Sequence, residues 1–182
     1  MSVISGEGVH SAKYDIAVVG SGPAGMATAC LMGSLNKNLK IIVCDKRPET
    51  TRNHKLAIGS DSINAMSKLL MEGIASSENH VNKEAAKKLL TFFKNWSKKS
   101  VPTSTIEKDL ANFAVKTLNV SVYRDKFFNI KSDSQATGKG LSFDCFLEKI
   151  GGAKVIIGAD GSKSVVRNVI NANKTDEFNL GY

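Results

Sequence analysis

The chain has 182 residues, of which 42% are hydrophobic and 23% charged, a balance that suits one folded domain and excludes wholesale disorder. Its net charge of +8 suits an anionic partner, and with no RNA-binding motif and no aromatic platform among the lysines, nucleic acid is not the expected one. Asp15, Pro23 and several glycines break the apolar runs before they reach the roughly 20 residues of a membrane span.

Residues 1–12 read as a flexible polar arm without the apolar run of a secretion signal, so a cytoplasmic protein is expected. Tyr14 to Gly20, YDIAVVG, has the Ile and Val content of a strand buried on both faces. Pro23 follows a Gly-Ser-Gly turn and suits the first turn of a helix that runs toward Asn36. Leu39 to Asp45, LKIIVCD, predicts a second strand, which completes one βαβ unit. After a basic segment to Gly59, Ile63, Met66, Leu70 and Ile74 predict a helix over Ser60 to Ile74 with Ser60 as N-cap. A further helix over Asn82 to Lys99 sets Ala85, Leu89, Phe92, Phe93 and Trp96 on one side. Its lysines, Lys87, Lys88, Lys94, Lys98 and Lys99 among them, form either a solvated face or a dock for an acidic protein or membrane.

The two helices make an insertion over about 60–100, ended by Pro102. Ser104 and Glu107 stand at capping-box spacing before the stripe Ile106, Leu110, Phe113, Ala114 and Leu118. The period then shortens: VSVYRD, KFFNIKSD and GLSFDCFLEKI predict the three strands of a β-meander, followed by an apolar strand over Lys154 to Ala159 and a short helix over Ser162 to Ile170. Residues 171–182 read as a polar tail, which leaves 13–170 as the domain. Cys30, Cys44 and Cys145 are odd in number, lack C-x-x-C spacing and read as reduced core thiols, so neither a disulfide nor a metal site is expected.

Chemistry concentrates at Gly20-Ser21-Gly22-Pro23-Ala24-Gly25, between a predicted strand and a predicted helix. In such a turn the first Gly permits the tight bend, the second lets backbone approach a pyrophosphate, and the third lets helix and strand close up. The helix N-terminus offers free N–H groups to the phosphates. Asp45, twenty residues beyond Gly25, can accept hydrogen bonds from the hydroxyls of an adenosine ribose. Nicotinamide cofactors and flavin adenine dinucleotide (FAD) share this fingerprint, and a Gly turn that only packs is the alternative.

A second motif narrows the choice. Gly158-Ala159-Asp160-Gly161, with Ser164 and Arg167, resembles the G-A-D-G-x-x-S-x-x-R element of FAD-dependent hydroxylases. Asp45-Lys46-Arg47, with Arg52-Asn53 and Leu56, is similar to the segment after the second strand of MICAL-type flavoprotein monooxygenases. The likeness spans about residues 14–170 and implies an α/β, Rossmann-like FAD-binding fold with a parallel sheet, a β-meander and a helical insertion. It implies that Gly20, Gly22, Gly25 and Asp45 hold the ADP half of FAD. Ser21, Pro23 and Ala24 complete that loop, and Lys46 belongs to the basic loop in which Arg47 lines the adenosine side. Arg52 would approach the phosphates or flavin, and Asp160 with Gly161 would sit beside the pyrophosphate and the nicotinamide path. The implied activity is reduction of FAD by NAD(P)H, reaction with oxygen and oxygen transfer to a substrate. No catalytic acid, base or nucleophile is identified.

Two features depart from that family. Its helix before the meander usually opens with an arginine that contacts FAD, whereas Ser104 to Lys108 has none; Lys108 is the available cation and Glu107 is assigned to the capping box. Relatives also continue to a Gly-Asp element, and this sequence has no Gly-Asp dipeptide. The expectations are a fragment, a site completed by a protein partner or second chain, or a reduced, truncated module acting in protein interaction or regulation. A nicotinamide-dependent dehydrogenase would explain the Gly loop and Asp45 but not the Asp-Gly element.

Overall fold

Short runs of Ile, Val and Cys alternate with amphipathic stretches along the chain, and they fold into an α/β sandwich. The computed structural model describes residues 2–5, 12–49, 54–97, 99–125, 128–130, 141–162 and 164–172. In chain order the elements are β1 (Ser2–Ser5), β2 (Tyr14–Val19), α1 (Pro23–Leu35), β3 (Ile41–Asp45), β4 (Lys55–Ala57), α2 (Ser60–Ala75) and α3 (Lys83–Trp96). They continue with β5 (Ser100–Pro102), α4 (Thr103–Thr117), β6 (Val120–Arg124), α5 (Phe143–Ile150), β7 (Ala153–Gly158) and α6 (Val165–Ala172).

The main sheet has five strands in the order β1-β7-β2-β3-β6. The last four are parallel to one another, with Val18 opposite Val43 and Ile157, and Val43 opposite Val122. Helices cover both faces, which is why β2 and β3 read as continuous apolar runs. Ile16, Val18, Ile41 and Val43 point to one face, into a core with Met26 and Cys30 of α1, Leu89 and Phe93 of α3, and Leu110 of α4. Ala17, Val19, Ile42 and Cys44 point to the other, where Phe146 and Ile150 of α5 and Val166 of α6 pack. The two helices expected over about 60–100 are α2 and α3, which pack on each other and on α1. Among the described residues no helix is long and apolar enough to cross a membrane.

Several expectations are corrected. Ser2–Ser5, read as part of a flexible arm, pairs antiparallel with β7 as the edge strand of the sheet. The N-cap of α2 is Gly59, and Ser60 is already helical. Of the three meander segments, VSVYRD is β6, KFFNIKSD is described only over 128–130 with one bridge from Ile130 to Leu141, and the third is the helix α5. Its ends explain the change: Ser142 caps it by accepting a 3.2 Å hydrogen bond from the backbone N–H of Cys145, and Gly151 closes it at φ +78°. Between the caps, Phe143, Phe146, Leu147 and Ile150 share one face. The same geometry turns Cys145 outward, so of the three thiols read as core only Cys30 and Cys44 are buried.

Candidate functional site

Strands β2, β3 and β7 end at the same edge of the sheet, and the loops that follow them meet there. The Gly20 N–H donates to the Cys44 carbonyl and the Ala159 N–H to the Val19 carbonyl, each at 2.7 Å. From β2 the chain builds outward to β3 and β6, then returns on the other side with β7. The gap between β2 and β7 is therefore a topological switch point, where open α/β sheets take ligands. A cleft opens there, lined by Gly20, Gly22, Asp45, Lys46, Arg47, Asp160 and Gly161.

The loop after β2 uses its glycines differently. Gly20 has φ +107°, and a Cβ on it would strike the Ala159 carbonyl. Gly22 is the N-cap of α1 at φ −67°, and Pro23 fills the first helical position, where a missing N–H costs nothing. A Cβ on Gly22 would meet only Glu107 Oε1, at 3.9 Å, so its backbone faces open cleft. The first turn of α1 carries no acidic side chain that would repel an anion at its N-terminus. Ala24 is exposed beside it.

Asp45 ends β3 with 6% of its surface exposed, and its carboxylate is crowded with donors. Oδ2 accepts from the Ser21 N–H at 2.7 Å, from Ser21 Oγ at 2.9 Å and from Arg47 Nη2 at 2.8 Å. Oδ1 accepts from the Arg47 N–H at 2.9 Å and from Arg47 Nε at 3.1 Å. Burial alone would raise the Asp45 pKa. The guanidinium of Arg47 and the N–H groups of Arg47 and Ser21 outweigh it and hold the carboxyl well below the usual carboxylate range. The same pairing raises the already high pKa of Arg47.

Ser21, expected to be a cofactor contact, fastens the loop to β3. Arg47, expected on the adenosine side, lines the cleft and is clamped on Asp45. Lys46 is exposed at the rim. Arg52 and Asn53 lie outside the described residues.

Across the cleft, Asp160 follows β7 and Gly161 turns at φ +90°. Asp160 Oδ2 accepts from the Val165 N–H at 2.7 Å, which caps α6, while Oδ1 is buried and unpaired among the described residues. Arg167 lies on the exposed side of α6, where its guanidinium donates to the Ser162 carbonyl, and Ser164 Oγ accepts from the Arg167 N–H at 3.1 Å.

Glu107 was missed, and its capping-box role is corrected. The N-cap of α4 is Pro102, Ser104 lies inside the helix, and Thr103 Oγ1 donates to the His54 carbonyl at 2.7 Å. That places Glu107 in the interior, 1% exposed, with its carboxylate turned to Gly22. A signal was present: Thr103, Glu107, Leu110 and Ala114 fall at helical spacing on one buried face.

Among the described residues, buried polar atoms of Arg47 and Asp160 in the cleft, and of Glu107 behind Gly22, have no hydrogen-bond partner, which leaves donor and acceptor capacity beside the open backbone at Gly22. Residues 13–179 match the family model described as FAD binding domain. A comparison with curated protein sequences finds no match. Among solved structures the chain is similar to AlpK, at 17% identity and TM-score 0.50, over 87% of this chain and 33% of that one. It is similar to BexE, whose structural study concerns oxidation during BE-7585A biosynthesis, at 17% identity and TM-score 0.51, over 86% of this chain and 33% of that one. These likenesses are of fold. The chain spans about one third of the length of either structure.

Proposed function

The chain belongs to the FAD binding domain family, and from that membership we propose that it forms the FAD-binding part of an NAD(P)H-dependent flavoprotein monooxygenase. The observation that carries the reading is the meeting of three loops at one switch point: the Gly22 backbone, the Asp45 carboxylate and the Asp160-Gly161 turn line a single cleft. Gly22 and the first N–H groups of α1 receive the pyrophosphate, and Asp45 accepts the hydroxyls of the adenosine ribose. Arg47 offers a planar cation to the phosphates and adenosine. Asp160 and Gly161 border the pyrophosphate on the side where a nicotinamide cofactor would approach. FAD held by these residues would supply redox chemistry, while the protein's own part is to bind, orient and shield it. A reducing, cytoplasmic setting suits the buried free thiols Cys30 and Cys44.

The test is an absorbance spectrum of the purified chain, followed by titration with FAD and with NADPH. Copurified flavin, or saturable quenching of flavin fluorescence, is expected. A well-folded chain that binds no FAD overturns the reading.

A further inference from the structure

Glu107 lies on the second turn of α4, and among the described residues neither of its buried carboxylate oxygens has a hydrogen-bond partner. A buried acid without partners is costly, and a fold keeps one only where something offsets that cost. Two neighbours identify what does so here. Glu107 Oε1 would be 3.9 Å from a Cβ on Gly22, which puts it beside the phosphate loop. Arg47 lines the same cleft as Gly22 and keeps Nη1 buried and unpaired among the described residues, and the Glu107 charge adds, after the Asp45 pairing, to the rise in its pKa.

The crowding at Asp45 connects these facts. A carboxylate has about four lone-pair directions, and five donors already reach Asp45. A ribose diol can be accepted there only if some of them leave. The N–H groups of Ser21 and Arg47 are fixed by the backbone. Of the side-chain donors, Ser21 Oγ is one and the guanidinium of Arg47 supplies two, one to each carboxylate oxygen, so its departure is what clears both oxygens for a diol. Once off Asp45 it needs another acceptor, and both oxygens of Glu107 are without a partner among the described residues.

We propose that Glu107 is a positioning residue that serves as the second seat of Arg47: when the cofactor ribose takes Asp45, the guanidinium turns to Glu107 and stays beside the Gly22 loop. This rests on the FAD-binding reading above. The move also neutralises Glu107, whose charge would otherwise oppose an incoming pyrophosphate. One arginine thus guards the ribose acid in the free protein and screens the buried acid in the complex.

The test is a double-mutant cycle on the 182-residue chain, reading FAD binding by flavin fluorescence, ADP binding by calorimetry, and the melting temperature without ligand. Glu107→Gln is expected to weaken FAD and ADP binding about tenfold, while the ligand-free melting temperature holds or rises because an unpaired buried charge has gone. In an Arg47→Ala background the same change is expected to cause no further loss of binding, and to restore some affinity, because it removes the unscreened charge beside the pyrophosphate. Glu107→Asp, which keeps the charge on a shorter arm, is expected to recover part of the affinity. Glu107→Gln that binds like wild type overturns the proposal, as does a loss that persists without Arg47, or a Glu107→Gln chain that melts early or fails to fold. A wild-type chain that binds neither FAD nor ADP overturns the cofactor reading and this proposal with it; binding by wild type separates the two failures.

Discussion

The carbonyl oxygen of Gly20 fills the space where a Cβ would stand on Gly25, so α1 can lie against the end of β2 only because residue 25 has no side chain. The Ala159 Cβ closes the same space from the β7 side, at 3.1 Å from that position. Gly22 is different, since its φ of −67° suits any residue and its Cβ position meets nothing closer than 3.9 Å. The first and third glycines serve the fold, and the second has no such demand on it, which leaves it for the phosphate role proposed above.

Substitutions at these positions should fail in different ways. Gly25→Ala is expected to cost about 3 kcal/mol, because the methyl group must displace backbone. Gly22→Val is expected to keep the melting temperature near that of the wild type and to lose FAD binding, since its branch stands where backbone should approach a pyrophosphate. Thermal melts beside flavin titrations check both. A folded Gly22→Val chain with unchanged affinity would remove the phosphate-loop assignment.

Local rules made the βαβ unit legible. The Ile and Val runs, Pro23 at the start of α1, the Gly spacing and Asp45 at the end of β3 each follow from short-range geometry, and the structure keeps them within one or two residues. Long-range pairing was not legible. Nothing in SVIS announces an edge strand against β7, and the choice between strand and helix for FDCFLEKI rests on Ser142 and Gly151 at its two ends. Glu107 was misread because capping-box spacing is a local rule. The hydroxyl of Thr103 goes instead to the His54 carbonyl, 49 residues away in sequence, and the helix starts one residue before Ser104. The Asp45–Arg47 clamp was hidden for the opposite reason: both residues were identified, but for a ligand rather than for each other.

The thiols give a test of burial. Burial pushes Cys30 and Cys44 each up to about 12, with the neighbouring Asp45 charge adding to the effect at Cys44, whereas Cys145 is exposed on α5. Thiolate is the reactive form, so the two core cysteines should be inert at neutral pH. A maleimide is expected to modify one cysteine in the folded chain and all three after denaturation, and Cys145→Ser should abolish the native reaction. Mass spectrometry of the labelled protein counts them, and rapid native labelling of Cys30 would contradict the packing of α1 against α4.

The lysines of α3 should be irrelevant to the cofactor. Lys88 and Lys94 are exposed, and their helix packs on α1 and α2 without lining the cleft. Lys88→Ala with Lys94→Ala is expected to leave FAD affinity within about twofold of wild type, as solvated surface changes do. A lost cofactor would place α3 at the site.

Asp45 should make stability fall in acid in a way that its neutral isostere does not. In the folded chain its carboxyl is held below its ordinary value of 3.8, because the Arg47 and Ser21 donors outweigh its burial. The folded state therefore binds this proton less readily than the unfolded chain does. The stabilisation is complete above the ordinary value and is lost as pH falls through the lower folded one. Asp45→Asn removes the charge and leaves the Arg47 guanidinium without its partner, at an expected cost of about 2 kcal/mol at neutral pH. The difference in unfolding free energy between the two proteins should be flat from neutral pH down to about pH 5 and shrink below that, as Asp45 takes up its proton. Denaturant unfolding of both proteins across that range checks it. Asp45→Ala should also weaken FAD binding about tenfold through loss of the ribose acceptor. Equal affinity would show that the ribose binds elsewhere and that Asp45 serves only to tie Ser21 and Arg47 together.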